Sequence, residues 1–393
     1  MITEVIFIIS LLAIGLVFTG YPLILWWYGR HVTRLQPVSE QELSQQSMPL
    51  VSVLVAVRNG EALIRKKVEN ALALDYPAEK LDVVIVSDGS DDGTMAVLNA
   101  IQSERLTALD LGQHLGKHEA LNAGMQHCCG DIIVFTDADA ELEPHAVSQL
   151  VRHFQDDRIG GVGGQRVIAE QQGSLENAQS TYIDADSKVK QLESVIGSVT
   201  ANDGKIYAIR KSLFKGVAAA VTDDLYVCLS VLSQHQRFVF EPQARANIKT
   251  PSRNSDHEIS RRRRIVNRSL RGIWLNRKVL NPFYSSFQLA AGLLINKVMR
   301  RLLPFFLITL LLSNLALISS SVWLWIFLLP QLGVYGAALG YWLLNGKSFP
   351  VAIVQKILSL CFYFVIGNLG TLLGVVDFLR GEQPVRWEPK KSD

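Results

Sequence analysis

The ten residues 131–140 read "DIIVFTDADA", an apolar run that ends in two aspartates, Asp137 and Asp139, on either side of one alanine. The run at 132–135 is short and apolar, which is typical of a buried strand. Two carboxylates this close repel each other unless a positive group lies between them. Hard oxygen ligands suit Mg²⁺ or Mn²⁺, which usually complete their coordination with water and substrate phosphates. The stretch therefore predicts a strand that ends in a divalent metal site.

Two earlier apolar runs end in the same way. The first, "LVSVLVAV" at 50–57, is followed by Arg58 and Asn59, and the second, within "LDVVIVSDGS" at 81–90, is followed by Asp88. Helical patterns separate these runs, and such alternation indicates an α/β fold with a mostly parallel sheet covered on both faces. Because ligands bind beyond the carboxyl ends of such strands, we predict that the three polar clusters share one edge.

Three later segments carry further candidates for this edge. Lys117 lies at a predicted helix start in "LGKHEALNAG" at 115–124, where it could contact a diphosphate or be a plain surface lysine. The segment "GKIYAIR" at 204–210 is predicted to be a strand after a glycine turn. Asp223 and Asp224 follow Thr222 at the head of an apolar helical run, so they are either site acids or helix-capping charges. Turn and capping chemistry is likewise the alternative for Asp88.

The distribution of charge predicts membrane segments around one polar domain. Although 49% of the residues are hydrophobic, charged residues crowd 58–301, and the stretches 5–29, 302–346 and 357–376 carry none. Since roughly 20 helical residues cross a ~30 Å hydrocarbon layer, these stretches predict one, two and one passes. We interpret the first as an uncleaved anchor, with a cleaved signal peptide as the alternative.

Basic residues flank the long polar region at both ends: Arg30, Arg34, Lys297, Arg300 and Arg301. By the positive-inside rule they predict a cytosolic domain on the cytoplasmic membrane. If three later spans cross the membrane, the basic tail, 377–393, lies outside. The alternative is that one apolar segment is re-entrant or interfacial, and 283–298 is one candidate for lying flat on the membrane. The net charge of +3 is too small to indicate nucleic acid as a partner.

A basic amphipathic helix is predicted within "SRRRRIVNRSLRGIW" at 260–274, where Arg261, Arg264, Arg268 and Arg271 recur at helical spacing. Such a helix normally lies on an anionic leaflet, where membrane lipid is its partner. Alternatively it closes over a donor diphosphate, since guanidinium groups fit phosphate oxygens.

Taken in order, these motifs resemble the membrane-bound family 2 glycosyltransferases, the group of the cellulose, hyaluronan and poly-N-acetylglucosamine synthases, over roughly residues 50–275. The resemblance implies a GT-A catalytic domain, Rossmann-like, with flanking transmembrane helices. It divides the chain into an anchor, a glycosyltransferase domain, basic interfacial helices, transmembrane segments and a tail: 1–29, 50–256, 257–298, 302–376 and 377–393.

The resemblance also implies roles for individual residues. Asp224 would be the catalytic base, Asp137 and Asp139 the ligands of Mg²⁺ or Mn²⁺, and Gly204 and Asp223 acceptor contacts. The nucleoside-diphosphate sugar, expected to be a UDP-sugar, would contact Asn59, Asp88, Lys117, Asp137 and Arg264. The acceptor would be lipid-linked or a glycan.

One departure from the family pattern bears on the product. The processive synthases carry Q-x-x-R-W, and the corresponding segment here is "RRRRI" at 261–265, which keeps Arg264 but has Arg261 and Ile265 in place of glutamine and tryptophan. Single-sugar transfer is therefore the first hypothesis and processive polymer synthesis the second. From other classes, a metal-dependent phosphohydrolase or nucleotidyltransferase and a non-catalytic nucleotide-binding anchor remain alternatives.

Overall fold

The structure is a computed structural model that describes residues 1–31, 48–168, 174–248, 255–344 and 352–382. Its strands are β1 Val51–Val57, β2 Leu81–Ser87, β3 Leu106–Asp110, β4 Ile132–Phe135, β5 Glu141–Leu142, β6 Ile159–Ile168, β7 Tyr207–Arg210 and β8 Arg237–Ile248. Helices of the polar region are α3 Glu61–Leu72, α4 Thr94–Asn99, α5 Lys117–Met125, α6 Ala146–Val151, α7 Ser174–Ile196, α8 Asp223–Leu232 and α9 Ser255–Leu275. Helices of the apolar segments are α1 Ile2–Gly15, α2 Tyr21–Gly29, α10 Phe287–Gly292, α11 Arg300–Leu317, α12 Trp325–Leu343 and α13 Ala352–Leu379.

The described strands form one sheet in the order β3-β2-β1-β4-β7-β6-β8-β5. The first four are parallel, so the ends of β1, β2 and β4 reach the same edge. The α/β prediction is thus confirmed. Beyond β4 the sheet is mixed, because β7 pairs antiparallel with β4 and places Phe135 opposite Tyr207. The residues just before β7 consequently lie beside those just after β4.

Two apolar layers cover the sheet, as the continuous hydrophobic strands require. On one face, α3 buries Ile64, Val68 and Ala71, which recur at helical spacing and pack against the inner side chains of β1 and β2. On the other face, α5 and α8 bury a second cluster that includes Phe135 and Tyr207, whose rings stack with centroids 4.7 Å apart. Both faces of the sheet are therefore closely packed near the edge where the polar residues lie.

In the described ranges, four helical segments are long and apolar enough to cross a membrane: Ile2–Gly29, Phe287–Leu317, Val322–Leu343 and Ile353–Leu379. Residues 283–298 do not form a separate element, because α10 continues through a π-helical turn, Leu293–Met299, into α11. The expected boundary between interfacial helices and transmembrane segments at 298–302 therefore lies inside one helical run. Of the expected tail, residues from 383 lie outside the described ranges.

Helix α9 packs along the C-terminal half of α13. The Arg263 guanidinium lies 2.7 Å from the Asp377 carboxylate, and Arg262 donates to the Tyr363 hydroxyl at 2.8 Å. A Cβ atom on Gly374 would lie 2.5 Å from the Arg263 carbonyl oxygen, so only glycine allows this close approach. One face of the predicted basic helix is thus covered by protein, and only the rest is open to a leaflet or a ligand.

Candidate active site

The two aspartates after β4 enclose a lysine. Lys205 Nζ lies 3.0 Å from Asp137 Oδ2 and 2.7 Å from Asp139 Oδ1. Antiparallel pairing of β4 and β7 produces this contact, since Lys205 precedes Tyr207 by two residues. The positive group that two neighbouring carboxylates require is therefore an ammonium. Burial opposes ionisation of Asp137, but Lys117 and Lys205 outweigh it and hold the pKa of that carboxyl well below its usual range.

Lys117 joins this pair to the start of α8. Its Nζ lies 2.6 Å from Asp137 Oδ1 and 2.8 Å from Asp223 Oδ2. Burial acts to lower the pKa of Lys117, but the two carboxylates dominate and raise it above its usual value. Lys117 thus contacts both Asp137 and Asp223, two site residues predicted from the sequence that are far apart in the chain.

Asp224 has a different environment. Burial, followed by the charges of Asp223 and Asp203, raises the pKa of Asp224 to about 6. Its Oδ1 accepts a hydrogen bond from Leu225 N at 2.7 Å, and a Cβ atom on Gly204 would lie 3.5 Å from its Oδ2. The predicted acceptor residue Gly204 is thus adjacent to the predicted base. A carboxylate with a pKa near 6 is suited to accept a proton at neutral pH.

Asp88 is engaged by the protein itself. Its buried carboxylate accepts hydrogen bonds from Leu115 N at 2.7 Å and Gly116 N at 2.9 Å, and lies 2.8 Å from His114 Nδ1. These contacts fix the loop that begins α5 and so position Lys117. The observed role is to organise this loop, and contact with a nucleoside stays a prediction.

Asn59 links the ends of β1 and β2. Its side-chain oxygen accepts from Asp91 N at 3.0 Å, its backbone N–H donates to Ser90 Oγ at 3.1 Å, and its φ is +51°. Beside it, Nε and Nη1 of Arg58 are buried with no hydrogen-bond partner in the described structure. Burying such donors unpaired is unfavourable, so the edge offers free donors to an anionic ligand.

Arg264 lies on α9, and no hydrogen bond or ion pair within the described ranges joins it to the aspartate pair. Burial, together with the charges of Arg268 and Arg261, lowers the pKa of Arg264 to about 10. The structure thus places this predicted donor contact in a group of arginines rather than among the acids.

Sequence reasoning did not identify Lys205, Lys67 or Asp203 as part of this edge. Buried Lys67 donates to Thr136 Oγ1 at 3.0 Å and to the Ala140 carbonyl at 2.5 Å, and so holds the loop that carries the aspartate pair. Burial lowers the pKa of Lys67 to about 7. One sequence feature could have indicated Lys67: it lies on the apolar face of α3.

The aspartate pair fits a metal only together with a substrate. Within the described ranges, no group of three or more His, Cys, Asp or Glu side chains is arranged to hold an ion. Asp137 and Asp139 supply two hard carboxylates, and the Asp139 side chain is 62% exposed. Mg²⁺ or Mn²⁺ bound here would take its other ligands from water and substrate phosphates, as is usual for these ions.

The chain has recognisable relatives. Over 218 residues it is 28% identical to a beta-monoglucosyldiacylglycerol synthase of Trichormus variabilis, covering 52% of this chain and 46% of that one. Over 227 residues it is 25% identical to a poly-beta-1,6-N-acetyl-D-glucosamine synthase of Staphylococcus aureus, covering 56% and 55%. The matches thus span about half the length of these curated relatives.

A solved structure shares nearly the whole fold. The mannosyltransferase of Pyrobaculum calidifontis in complex with GDP-Man and Mn²⁺ superposes with a TM-score of 0.67 at 20% identity, covering 95% of this chain and 99% of that one. Residues 52–217 match the model of glycosyl transferase family 2. The resemblance predicted from the order of the motifs is confirmed for this part of the chain: residues 52–217 form a family 2 glycosyltransferase domain, and the fold is GT-A.

Proposed function

We propose that the chain is a membrane-bound inverting glycosyltransferase, which moves a sugar from a nucleoside-diphosphate sugar to a lipid-linked or glycan acceptor at the cytosolic membrane face. One observation carries the proposal. The Asp224 carboxylate, with its raised pKa, follows Asp223, and Lys117 joins Asp223 to the aspartate pair after β4. This arrangement supports a proton acceptor and a diphosphate-neutralising group within one site.

The assignment of Asp224 rests on geometry. The family match ends at residue 217, before this aspartate. The two curated relatives carry the names of a glycolipid synthase and a polysaccharide synthase, and both products are compatible with the four apolar helical segments described above. The solved structure in complex with GDP-Man and Mn²⁺ supports a nucleotide-sugar donor and a divalent ion.

The residues divide the chemistry between them. Asp224 would accept the proton of the acceptor hydroxyl while the hydroxyl oxygen attacks the anomeric carbon. The bond from that carbon to the diphosphate would break on the opposite side. Lys117 and Lys205, both within 3.0 Å of Asp137, would stabilise the negative charge of the departing diphosphate. A Mg²⁺ or Mn²⁺ ion on Asp137 and Asp139 would supply further charge neutralisation there.

The test is a product assay on the full chain in lipid nanodiscs. A panel of nucleotide sugars is supplied with a membrane-lipid extract, with Mn²⁺, with Mg²⁺ or with EDTA. We expect metal-dependent release of nucleoside diphosphate and formation of a glycolipid or glycan, with activity about 100-fold lower in Asp139→Asn. Asp157→Asn is the matched control, because its carboxylate is fully exposed and pairs only loosely with Arg210 at 3.6 Å. Release of inorganic phosphate or pyrophosphate instead would indicate a phosphohydrolase or nucleotidyltransferase.

A processive polysaccharide synthase is the second candidate, favoured by the match to the poly-beta-1,6-N-acetyl-D-glucosamine synthase. Against it stands the segment 261–265, which lacks the glutamine and the tryptophan of the Q-x-x-R-W pattern. The same assay separates the two, because single transfer gives one discrete product and a synthase gives a ladder of lengths.

A further inference from the structure

The six arginines of α9 fall into two groups, and the first is fully engaged by the protein. Arg261 and Arg262 lie 2.8 Å and 2.9 Å from the buried Glu258 carboxylate. Arg263 pairs with Asp377 on α13. These three charges are therefore compensated within the fold, and they fasten α9 to its neighbour.

The second group, which we call the arginine stripe, consists of Arg264, Arg268 and Arg271. Spacings of four and three residues place the three on one face of the helix. In the described structure none of them has a hydrogen bond or an ion pair, and Nε of both Arg268 and Arg271 is buried without a partner. Burial, together with repulsion from neighbouring arginines, lowers the pKa of Arg264. Three partly buried, uncompensated guanidinium groups are costly unless an anion joins them.

The stripe lies beside the segment that leads into the proposed acceptor side of the site. A Cβ atom on Gly272, next to Arg271, would lie 3.9 Å from the Val221 side chain, which precedes the Thr222-Asp223-Asp224 segment. Burial lowers the pKa of Arg268, and the Asp223 charge partly offsets this effect. An anion held by the stripe would thus lie close to the start of α8.

On its other side the stripe continues into exposed apolar surface. Trp274 and Leu275 are 60% and 49% exposed, and Leu275 falls on the same helical face one turn after Arg271. Beyond them, Phe283 is 97% exposed and Phe287, at the start of a candidate membrane span, is 74% exposed. Exposed aromatic and aliphatic side chains beside apolar helices are typical of a membrane interface.

We propose that the arginine stripe binds the phosphate of a lipid phosphate acceptor, whose apolar chain runs over Trp274 and Leu275 toward the membrane. The inference rests on the proposed transfer to a membrane acceptor and names the chemical class of that acceptor. It departs from the expectation that Arg264 contacts the donor. The donor side already has Lys117 and Lys205 for a diphosphate. The stripe has guanidinium groups that suit a phosphate, and within the described ranges none of them forms an ion pair with the protein.

The test measures ligand binding by the full chain in detergent micelles, with changes in tryptophan fluorescence as the readout. The probes are farnesyl phosphate, farnesol and inorganic phosphate. We expect farnesyl phosphate to bind at least tenfold more tightly than either of the others, and Arg268→Gln/Arg271→Gln to weaken it at least tenfold. The matched control is Arg245→Gln, which removes one exposed charge on β8 that in the described structure makes only a 3.4 Å hydrogen bond to the Pro242 carbonyl and should change the affinity less than twofold.

Separate measurements distinguish failure of this proposal from failure of the proposed function. Affinity for the nucleoside diphosphate with Mn²⁺ should be unchanged in the double variant, and its unfolding temperature equal or higher, because uncompensated charges are removed. Equal binding of farnesol and farnesyl phosphate, or loss of nucleoside-diphosphate affinity alone, would overturn the lipid phosphate site while leaving glycosyl transfer intact. Equal competition by phosphatidylglycerol mixed into the micelles would also overturn it, since the stripe would then bind anionic lipid in general. If the double variant does not fold, Arg268→Lys/Arg271→Lys, which keeps the charge but loses the planar fork, supplies the same comparison.

Discussion

The candidate site contains two acidic clusters with opposite electrostatics. In the donor-side cluster, Asp137 and Asp139 are paired with Lys117 and Lys205, and the pKa of Asp137 is held well below its usual range. In the acceptor-side cluster, Asp224 has no ion pair within the described structure, and burial and its acidic neighbours raise its pKa to about 6.

Both clusters consist of aspartates, so the difference between their pKa values comes from which carboxylates are paired with a lysine. Carboxylates that are already ionised and paired with a cation suit exchange of that cation for a metal and a diphosphate. A carboxylate without a cation, with a pKa near neutrality, suits transfer of a proton. Lys117 contacts Asp137 and Asp223, so one side chain marks the boundary between the two environments.

The largest expected effect comes from Asp224→Asn, which removes the proton acceptor and keeps the shape. We expect the rate of sugar transfer to fall about 10³-fold, in the range for loss of a general base. Affinity for nucleoside diphosphate and Mn²⁺ should change less than twofold, because the donor-side cluster is untouched. Measured turnover and donor affinity test this together, and a variant that keeps a tenth of the activity would break the comparison.

Part of this site could be read from the sequence. Apolar runs followed directly by polar residues located Asp88, Asp137 and Asp139 at one edge, because strand periodicity and the rule for parallel sheets are local and general. Asp224 was identified by resemblance, since a pair of acids at a helix start is also ordinary capping chemistry. Its raised pKa depends on burial, which one short motif does not encode.

The remainder depends on contacts between distant segments. Lys205 lies between the two aspartates because β7 enters the sheet antiparallel beside β4, and no local pattern specifies that pairing. The division of the arginines of α9 into paired and unpaired groups depends on Glu258 and on Asp377, the latter more than 100 residues away. The sequence predicts one membrane pass at 357–376, and the glycines of this stretch also let α13 pack closely on α9.

The pH dependence of sugar transfer tests the same difference between Asp224 and Asp137, with a smaller expected effect than Asp224→Asn. Asp224 acts as a base only when deprotonated, so kcat/KM should fall as the pH drops through about 6, and at pH 5 it should be roughly tenfold below its plateau. The paired Asp137, with its lowered pKa, stays ionised throughout this window. A profile of kcat/KM between pH 4.5 and 8 at saturating Mn²⁺ tests this, and a flat profile down to pH 5 would contradict it.

As the pH rises through about 6, the contribution of Asp224 to stability falls, whereas the rate of sugar transfer rises. Since the folded-state pKa of Asp224 is raised above its ordinary value, its contribution favours folding at low pH and is lost as the pH rises through about 6. At neutral pH the ionised carboxylate therefore destabilises the fold. Asp224→Asn is accordingly expected to unfold at the same temperature as the parent or higher, which separates loss of a base from loss of structure.

The smallest expected effect concerns the cation of the donor-side cluster. Lys205 lies within 3.0 Å of both aspartates, so Lys205→Met leaves their repulsion balanced only by Lys117 on one side. We expect the metal-free protein to lose about 1 kcal/mol of stability and to unfold about 2–4 °C lower. Added Mn²⁺ should recover this loss, because the ion takes the place of the missing charge and no longer competes with an ammonium.

Lys66→Met is the matched control for this variant. Its ammonium lies 2.7 Å from the Glu141 carboxylate, but its side chain is 74% exposed, and such surface pairs contribute little. Thermal unfolding of both variants with EDTA and with Mn²⁺ should show a metal-dependent rescue for Lys205→Met alone. If Mn²⁺ changes the unfolding temperature of both variants equally, the paired aspartates do not exchange their lysine for a metal. The two clusters would then differ only in burial.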